Sequence, residues 1–136
     1  MRLRESLRGM KIALVEDDPW IRNGLQLFFL YHGCRLEGYE NAALAIDALT
    51  REKCDIIISD YWLPDLDGLA LVARLKEHQP EAFFLLITSY PTTGLREEAA
   101  RTGIHELLTK PLTIPKLEES LEGLIARSSS AVGGGP

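Results

Sequence analysis

Five side chains with chemistry to offer each follow directly on a short apolar run. Glu16 and Asp17 follow "IALV", Asp60 follows "IIIS", Thr88 ends "FFLLIT", and Lys110 follows "ELLT". Carboxylates brought into one spot repel each other and raise each other's pKa values unless a cation sits among them. A hard, oxygen-liganded ion such as Mg²⁺, or Mn²⁺, suits a shallow acidic pocket because it keeps several waters and needs only one or two carboxylates. A lysine adds a fixed positive charge and a hydroxyl adds a donor. Metal, lysine and donor are the parts that neutralise the oxygens of a phosphoryl group during transfer. An aspartate can be the nucleophile, forming an acyl phosphate, and Asp60 stands alone after its run. The plainer reading is that Asp60 caps a turn, since Asp is common where strands stop.

The elements that must position these residues alternate along the chain. "KIALVE" reads as a buried strand, and Asp18-Pro19 as an N-cap with Pro at the first helical position. The helix they open carries Ile21, Leu25, Phe28 and Phe29 on one face and closes at His32-Gly33. "CRLEGY" is a weaker strand, followed by a helix over about Asn41 to Thr50. "DIIIS" is the third strand, and Asp67 caps a helix with Leu69, Val72, Ala73 and Leu75 inward. "AFFLLIT" is the fourth strand, "TGLREEAART" a short polar helix ended by Gly103, and "IHELLT" a fifth, less apolar strand. The last helix starts around Thr113 to Pro115 and carries Leu117, Leu121, Leu124 and Ile125. Five strand–helix units of this kind imply an α/β fold, a parallel sheet with helices on both faces. In such sheets ligands bind beyond the carboxyl ends of the strands, which is where the five residues fall.

Bulk properties agree with one globular domain. The chain has 136 residues, 46% hydrophobic and 26% charged, enough for one core and too short for two ordinary domains. A net charge of −5 offers no electrostatic footprint for nucleic acid. No apolar run approaches a membrane span of roughly 20 residues, and "MRLRESLRG" lacks the apolar stretch of a secretory signal. Cys34 and Cys54 read as reduced thiols, and the expected location is the cytoplasm.

Four pieces, "ALVEDDPWIR", "DIIISDYWLPDLDG", "FLLITSY" and "ELLTKPL", in this order and spacing, resemble the receiver domain of bacterial two-component response regulators, of the chemotaxis-regulator kind. The resemblance spans residues 11–127, leaving 1–10 as an N-terminal extension and 128–136 as a flexible tail or linker. It implies the flavodoxin-like doubly wound (βα)5 sheet of order 2-1-3-4-5. It also implies roles: Asp60 as phospho-acceptor, and Asp17, Glu16 (through water), Asp60 and the Trp62 backbone carbonyl as Mg²⁺ ligands. Thr88 and Lys110 would bind the phosphoryl oxygens, with Pro111 after a peptide bond that is often cis in the family. The implied partners are a sensor histidine kinase or phosphotransfer protein upstream and a protein partner or output domain downstream. The partner face would be the fourth helix, fifth strand and fifth helix, about Thr92 to Arg127. A homodimer is open, as is whether the chain stands alone or comes from a larger regulator or hybrid kinase.

One position departs from the family pattern. Three residues before the lysine, receivers commonly carry a Tyr or Phe coupled to the hydroxyl residue, and here that position is Leu107. In that family the positions held here by Tyr90 and Trp62 flank the phosphate and tune access of water, so the resemblance implies a slow hydrolysis with two bulky aromatics there. Two rivals remain. "DLDGL" at Asp65 to Leu69 resembles the nucleophile motif of haloacid-dehalogenase-type phosphatases, but "YWLP" separates it from the strand and Leu69 replaces the expected Thr. The other rival keeps the fold as a binding module that works without phosphorylation. His32, His78 and His105 are scattered and are read as having no catalytic role.

Overall fold

Alternation within each strand builds two cores at once. In the computed structural model, which describes residues 3–133 and side chains as far as residue 128, β1 (Lys11–Val15) turns Ile12 and Leu14 to one face and Ala13 and Val15 to the other. The same alternation in β3 (Ile56–Asp60) sends Ile56 and Ile58 one way and Ile57 the other. With both faces covered, these strands read as unbroken apolar runs rather than as alternating ones.

The remaining elements are α1 (Leu3–Leu7), α2 (Pro19–Tyr31), β2 (Arg35–Tyr39), α3 (Ala42–Leu49), α4 (Gly68–Leu75), β4 (Phe83–Thr88), α5 (Thr93–Thr102), β5 (Glu106–Thr109) and α6 (Ile114–Gly133). The sheet is parallel throughout, in the order β2-β1-β3-β4-β5. This is the expected flavodoxin-like topology. Leu25 and Phe29 of α2 and Leu117, Leu121 and Leu124 of α6 join one core, while α3 and most of α4 supply the other. A third cluster gathers Leu69, Leu86, Leu95 and Ala99 around α5.

The helix ends follow their capping residues. Asp18, Asn41, Asp67 and Thr92 each accept a bond from a backbone N–H in the first turn of the helix that follows. Gly33 and Gly103 take φ of 75° and 101° where helices stop, a conformation that glycine adopts without Cβ strain.

Three local expectations change. Ala73 is exposed, and Leu71 takes its place in the core, because α4 packs against two neighbours and its buried face is wider than one stripe. The N-terminal segment is more than an extension. Leu7 of α1 is fully buried in the core that holds Leu117 and Leu121, and its carbonyl accepts from Cys34 Sγ at 3.2 Å. At the other end α6 continues past Arg127 to Gly133, through residues whose composition marks a linker. A helix docked on a core adds one hydrogen bond per residue, so weak helix formers can extend it. Residues 134–136 of the expected tail lie outside the described part.

Candidate functional site

Strand register brings the polar residues together. Val15 pairs with Ser59, which sets Glu16, one residue on, beside Asp60 at the tip of β3. Thr88 ends β4 and pairs with Thr109, so Lys110 follows just beyond the edge. The Lys110 N–H donates to the Thr88 carbonyl at 2.9 Å, holding the start of the β5–α6 loop against β4. The Lys110–Pro111 peptide is cis.

Asp60 is only 3% exposed, and Glu16 is fully buried. Lys110 Nζ donates to Asp60 Oδ2 at 2.9 Å and lies 3.4 Å from Glu16 Oε1. The longer contact is an ion pair without hydrogen-bond geometry, so Glu16 Oε1 is a buried oxygen with no hydrogen-bond partner. Its other oxygen, Oε2, accepts from the Asp18 N–H at 3.1 Å. Burial pushes the Glu16 carboxyl up to about 7, helped by the nearby charge of Asp60 and opposed by the Asp18 N–H and by Lys110. Burial alone would lower the Lys110 pKa; the hydrogen bond to Asp60 and the charges of Glu16 and Asp60 outweigh it and raise the value. Lys110 therefore stays charged.

Asp17 is exposed at the rim, and one oxygen each from Glu16, Asp17 and Asp60 lie within 4.8 Å of one another. A single ammonium faces this group. Three carboxylates against one lysine, with a buried oxygen that no hydrogen bond satisfies, fit a small divalent cation as a further partner. Asp60 Oδ1 has a long contact of 3.4 Å from the Trp62 N–H. Thr88 is buried, and its hydroxyl oxygen accepts from the Tyr90 N–H at 3.2 Å. Trp62 and Tyr90 are 68% and 78% exposed, so neither side chain packs into the floor of the site. Leu107 is half-buried against the cluster of Leu86 and Leu95.

Other residues hold this arrangement in place. Gly68 N–H donates to the Tyr61 carbonyl at 2.8 Å, and a Cβ at Gly68 would lie 2.4 Å from the Asp60 carbonyl oxygen. Asp65, in the haloacid-dehalogenase-like "DLDGL", caps a neighbouring helix: its two oxygens accept from the Ala42 and Ala43 N–H groups at 2.9 Å each. Those bonds lower its carboxyl pKa and tie the β3–α4 loop to α3. Arg22 donates to the Glu16 carbonyl at 2.6 Å. Sequence reading missed the last two, since nothing local marks a partner several residues or a whole element away; the glycine after "DLD" was visible without its reason.

Comparison with known proteins agrees with this geometry. The family model described as response regulator receiver domain matches residues 12–122. The transcriptional regulatory protein QseB of Haemophilus influenzae is 30% identical over 118 residues, which cover 87% of this chain and 53% of that protein. The chain spans about half or less of the length of the first curated relatives it matches. Among solved structures, a receiver domain protein from Methanospirillum hungatei superposes with a TM-score of 0.83 at 19% identity, over 90% of this chain and 98% of that one. The receiver domain of the sensor histidine kinase PA1611 from Pseudomonas aeruginosa, solved with a magnesium ion in its active-site cleft, gives 0.76 at 26% identity, over 87% and 98%. With the fold, the strand-tip cluster and a family match over most of its length in agreement, this chain belongs to the response regulator receiver domain family.

Proposed function

We propose that the chain is a phospho-accepting switch, with Asp60 as the acceptor. The observation that carries this reading is the buried Asp60 carboxylate, held at 2.9 Å by Lys110 beside a buried Glu16 oxygen that has no hydrogen-bond partner. Lys110 engages Oδ2, which leaves Oδ1 the freer oxygen. In the transfer, an Asp60 oxygen attacks phosphorus as the bond to the donor breaks, and the donor leaves with that electron pair. The donor is a phosphohistidine on a sensor kinase or phosphotransfer protein, or a small acyl phosphate. The product is an aspartyl phosphate.

Glu16, Asp17, Asp60 and the Trp62 backbone carbonyl would hold Mg²⁺ or Mn²⁺, which supplies charge neutralisation for the phosphoryl oxygens. The magnesium in the PA1611 receiver supports this assignment. Lys110 and Thr88 take the phosphoryl oxygens. The Thr88 hydroxyl already sits at the strand tip, and the Lys110 ammonium already points at the acceptor. The new charge then biases two arrangements of the β3–α4 and β4–α5 loops, and with them the face formed by α5, β5 and α6. That face, which includes Arg96, Glu97, Arg101 and Lys116, meets the downstream partner or output domain. With Leu107 in place of an aromatic, switching there works through repacking against Leu86 and Leu95.

Calorimetric titration with beryllofluoride in the presence of Mg²⁺ tests the reading. Stoichiometric binding by the wild type and none by Asp60→Asn is the expected result, and no binding by either protein overturns it.

A further inference from the structure

The residue after the acceptor turns into the fold. Tyr61 is half-buried and, like Leu107, packs against the cluster of Leu69, Leu86, Leu95 and Ala99. Its backbone is fixed from both sides: its N–H donates to the Ile87 carbonyl and its carbonyl accepts from the Gly68 N–H, each at 2.8 Å. Ser59 pairs with Leu86, Leu86 with Leu107, and Thr88 with Thr109. Alternation puts Tyr61 on the face of Ser59, and Thr88 on the face of Leu86. Tyr61 and Thr109 therefore flank Thr88 on one face of the sheet, with Leu86 and Leu107 in the row beneath.

A run of hydrogen bonds ties Thr88 to α5. The Tyr90 N–H donates to the Thr88 hydroxyl oxygen at 3.2 Å, and the Thr92 N–H to the Tyr90 carbonyl at 2.9 Å. The Leu95 N–H then donates to the Thr92 hydroxyl oxygen at 3.1 Å, in the first turn of α5. Leu95 also belongs to the cluster that Tyr61 packs against.

We infer, on the reading of Asp60 as phospho-acceptor, that Tyr61 is the positioning residue that couples the acceptor to α5. When the Thr88 hydroxyl turns toward a phosphoryl oxygen, it leaves the Tyr90 N–H and vacates space on the face that Tyr61 shares. A close-packed interior loses contacts wherever such a gap stays open. Thr109 is too short to fill it, and Leu107 lies a row below. The Tyr61 ring still has surface to bury, and burying it is favourable. Turning inward, it presses on Leu95 while the loop through Tyr90 and Thr92 comes free, so the first turn of α5 shifts. The two arrangements differ in how deep the ring sits, and the phosphoryl group selects between them. With Leu107 on β5, the aromatic of this cluster comes from the β3 side.

Amide hydrogen exchange of α5 in the full chain, with and without beryllofluoride and Mg²⁺, tests this, with calorimetry scoring occupancy of the site. In the wild type and in Tyr61→Phe, binding should change exchange in α5 at least ~fivefold. Tyr61→Leu should still bind beryllofluoride and lose most of that change; Tyr61→Met serves if the leucine variant fails to fold by circular dichroism. An α5 response that survives in the folded Leu or Met variant overturns the inference and leaves Asp60 as the acceptor. So does a wild type that binds beryllofluoride with no change in α5. Loss of the response in Tyr61→Phe overturns the packing account, since the ring alone should carry it. A wild type that binds no beryllofluoride overturns the acceptor reading and the coupling with it.

Discussion

Gly68 and Asp60 are in backbone contact across the turn that ends β3. A Cβ at residue 68 would stand 2.4 Å from the Asp60 carbonyl oxygen, 2.8 Å from Leu86 Cδ1 and 3.0 Å from Tyr61 Cα. The tip of β3 and the first turn of α4 can therefore approach only through a residue without a side chain. Gly68→Ala should destabilise the protein by about 1–3 kcal/mol, as over-packing does. It should also displace the acceptor, so that phosphorylation slows more than the stability loss explains. Urea unfolding beside a phosphodonor time course checks both.

Lys110 is the ion-pair partner of two buried carboxylates, at 2.9 Å from Asp60 and 3.4 Å from Glu16. Lys110→Met should destabilise the fold by about 1–3 kcal/mol, less than the 3–5 of a fully buried pair because a quarter of the lysine side chain reaches solvent. Added Mg²⁺ should raise the melting temperature of this variant more than that of the wild type, since a cation then replaces the missing charge. Equal shifts in the two proteins would argue against the acidic cluster as the cation site.

Sequence made the fold legible because each buried strand had to be apolar on both faces and each helix on one. Strand tips converge in a parallel sheet, so Glu16, Asp60, Thr88 and Lys110 could be expected in one place before any geometry was known. What stayed hidden depends on which element lies beside which. Asp65 bonds to Ala42 and Ala43 across 23 and 22 residues, Leu7 is buried by α6, and Leu71 rather than Ala73 turns inward. Linker-like composition also hid the extension of α6 to Gly133, because propagation from a docked stem outweighs weak local propensity.

His105 supplies a pH dependence unrelated to the phosphoryl site. Its Nδ1 accepts from the Phe84 N–H at 3.0 Å, and the ring packs edge-on against Phe83. Burial, with the charges of Lys76 and Arg127, lowers its pKa below the ordinary 6.5. The unfolded chain therefore binds a proton that the folded chain refuses. Stability is full above pH 6.5 and falls as the pH drops from 6.5 toward the lowered value. His105→Gln should flatten the stability profile below pH 6.5, measured by urea midpoints; an unchanged slope would contradict the assignment.

Trp62 and Tyr90 are exposed, two residues beyond Asp60 and Thr88 respectively. Neither ring is part of the core, so Trp62→Asn and Tyr90→Glu should leave stability within about 0.5 kcal/mol. If the rings restrict water, the aspartyl phosphate should hydrolyse several-fold faster in each variant, as followed by phosphate release. Unchanged lifetimes would remove these rings from the account.

The central claim is that Asp60 accepts a phosphoryl group, and intact mass after incubation with acetyl phosphate and Mg²⁺ tests it most directly. The wild type should gain one phosphoryl group, the gain should disappear in Asp60→Asn, and omission of the metal should suppress it. A wild type that gains nothing, while remaining folded and failing to bind beryllofluoride, would contradict the account and leave a receiver fold that acts through binding alone.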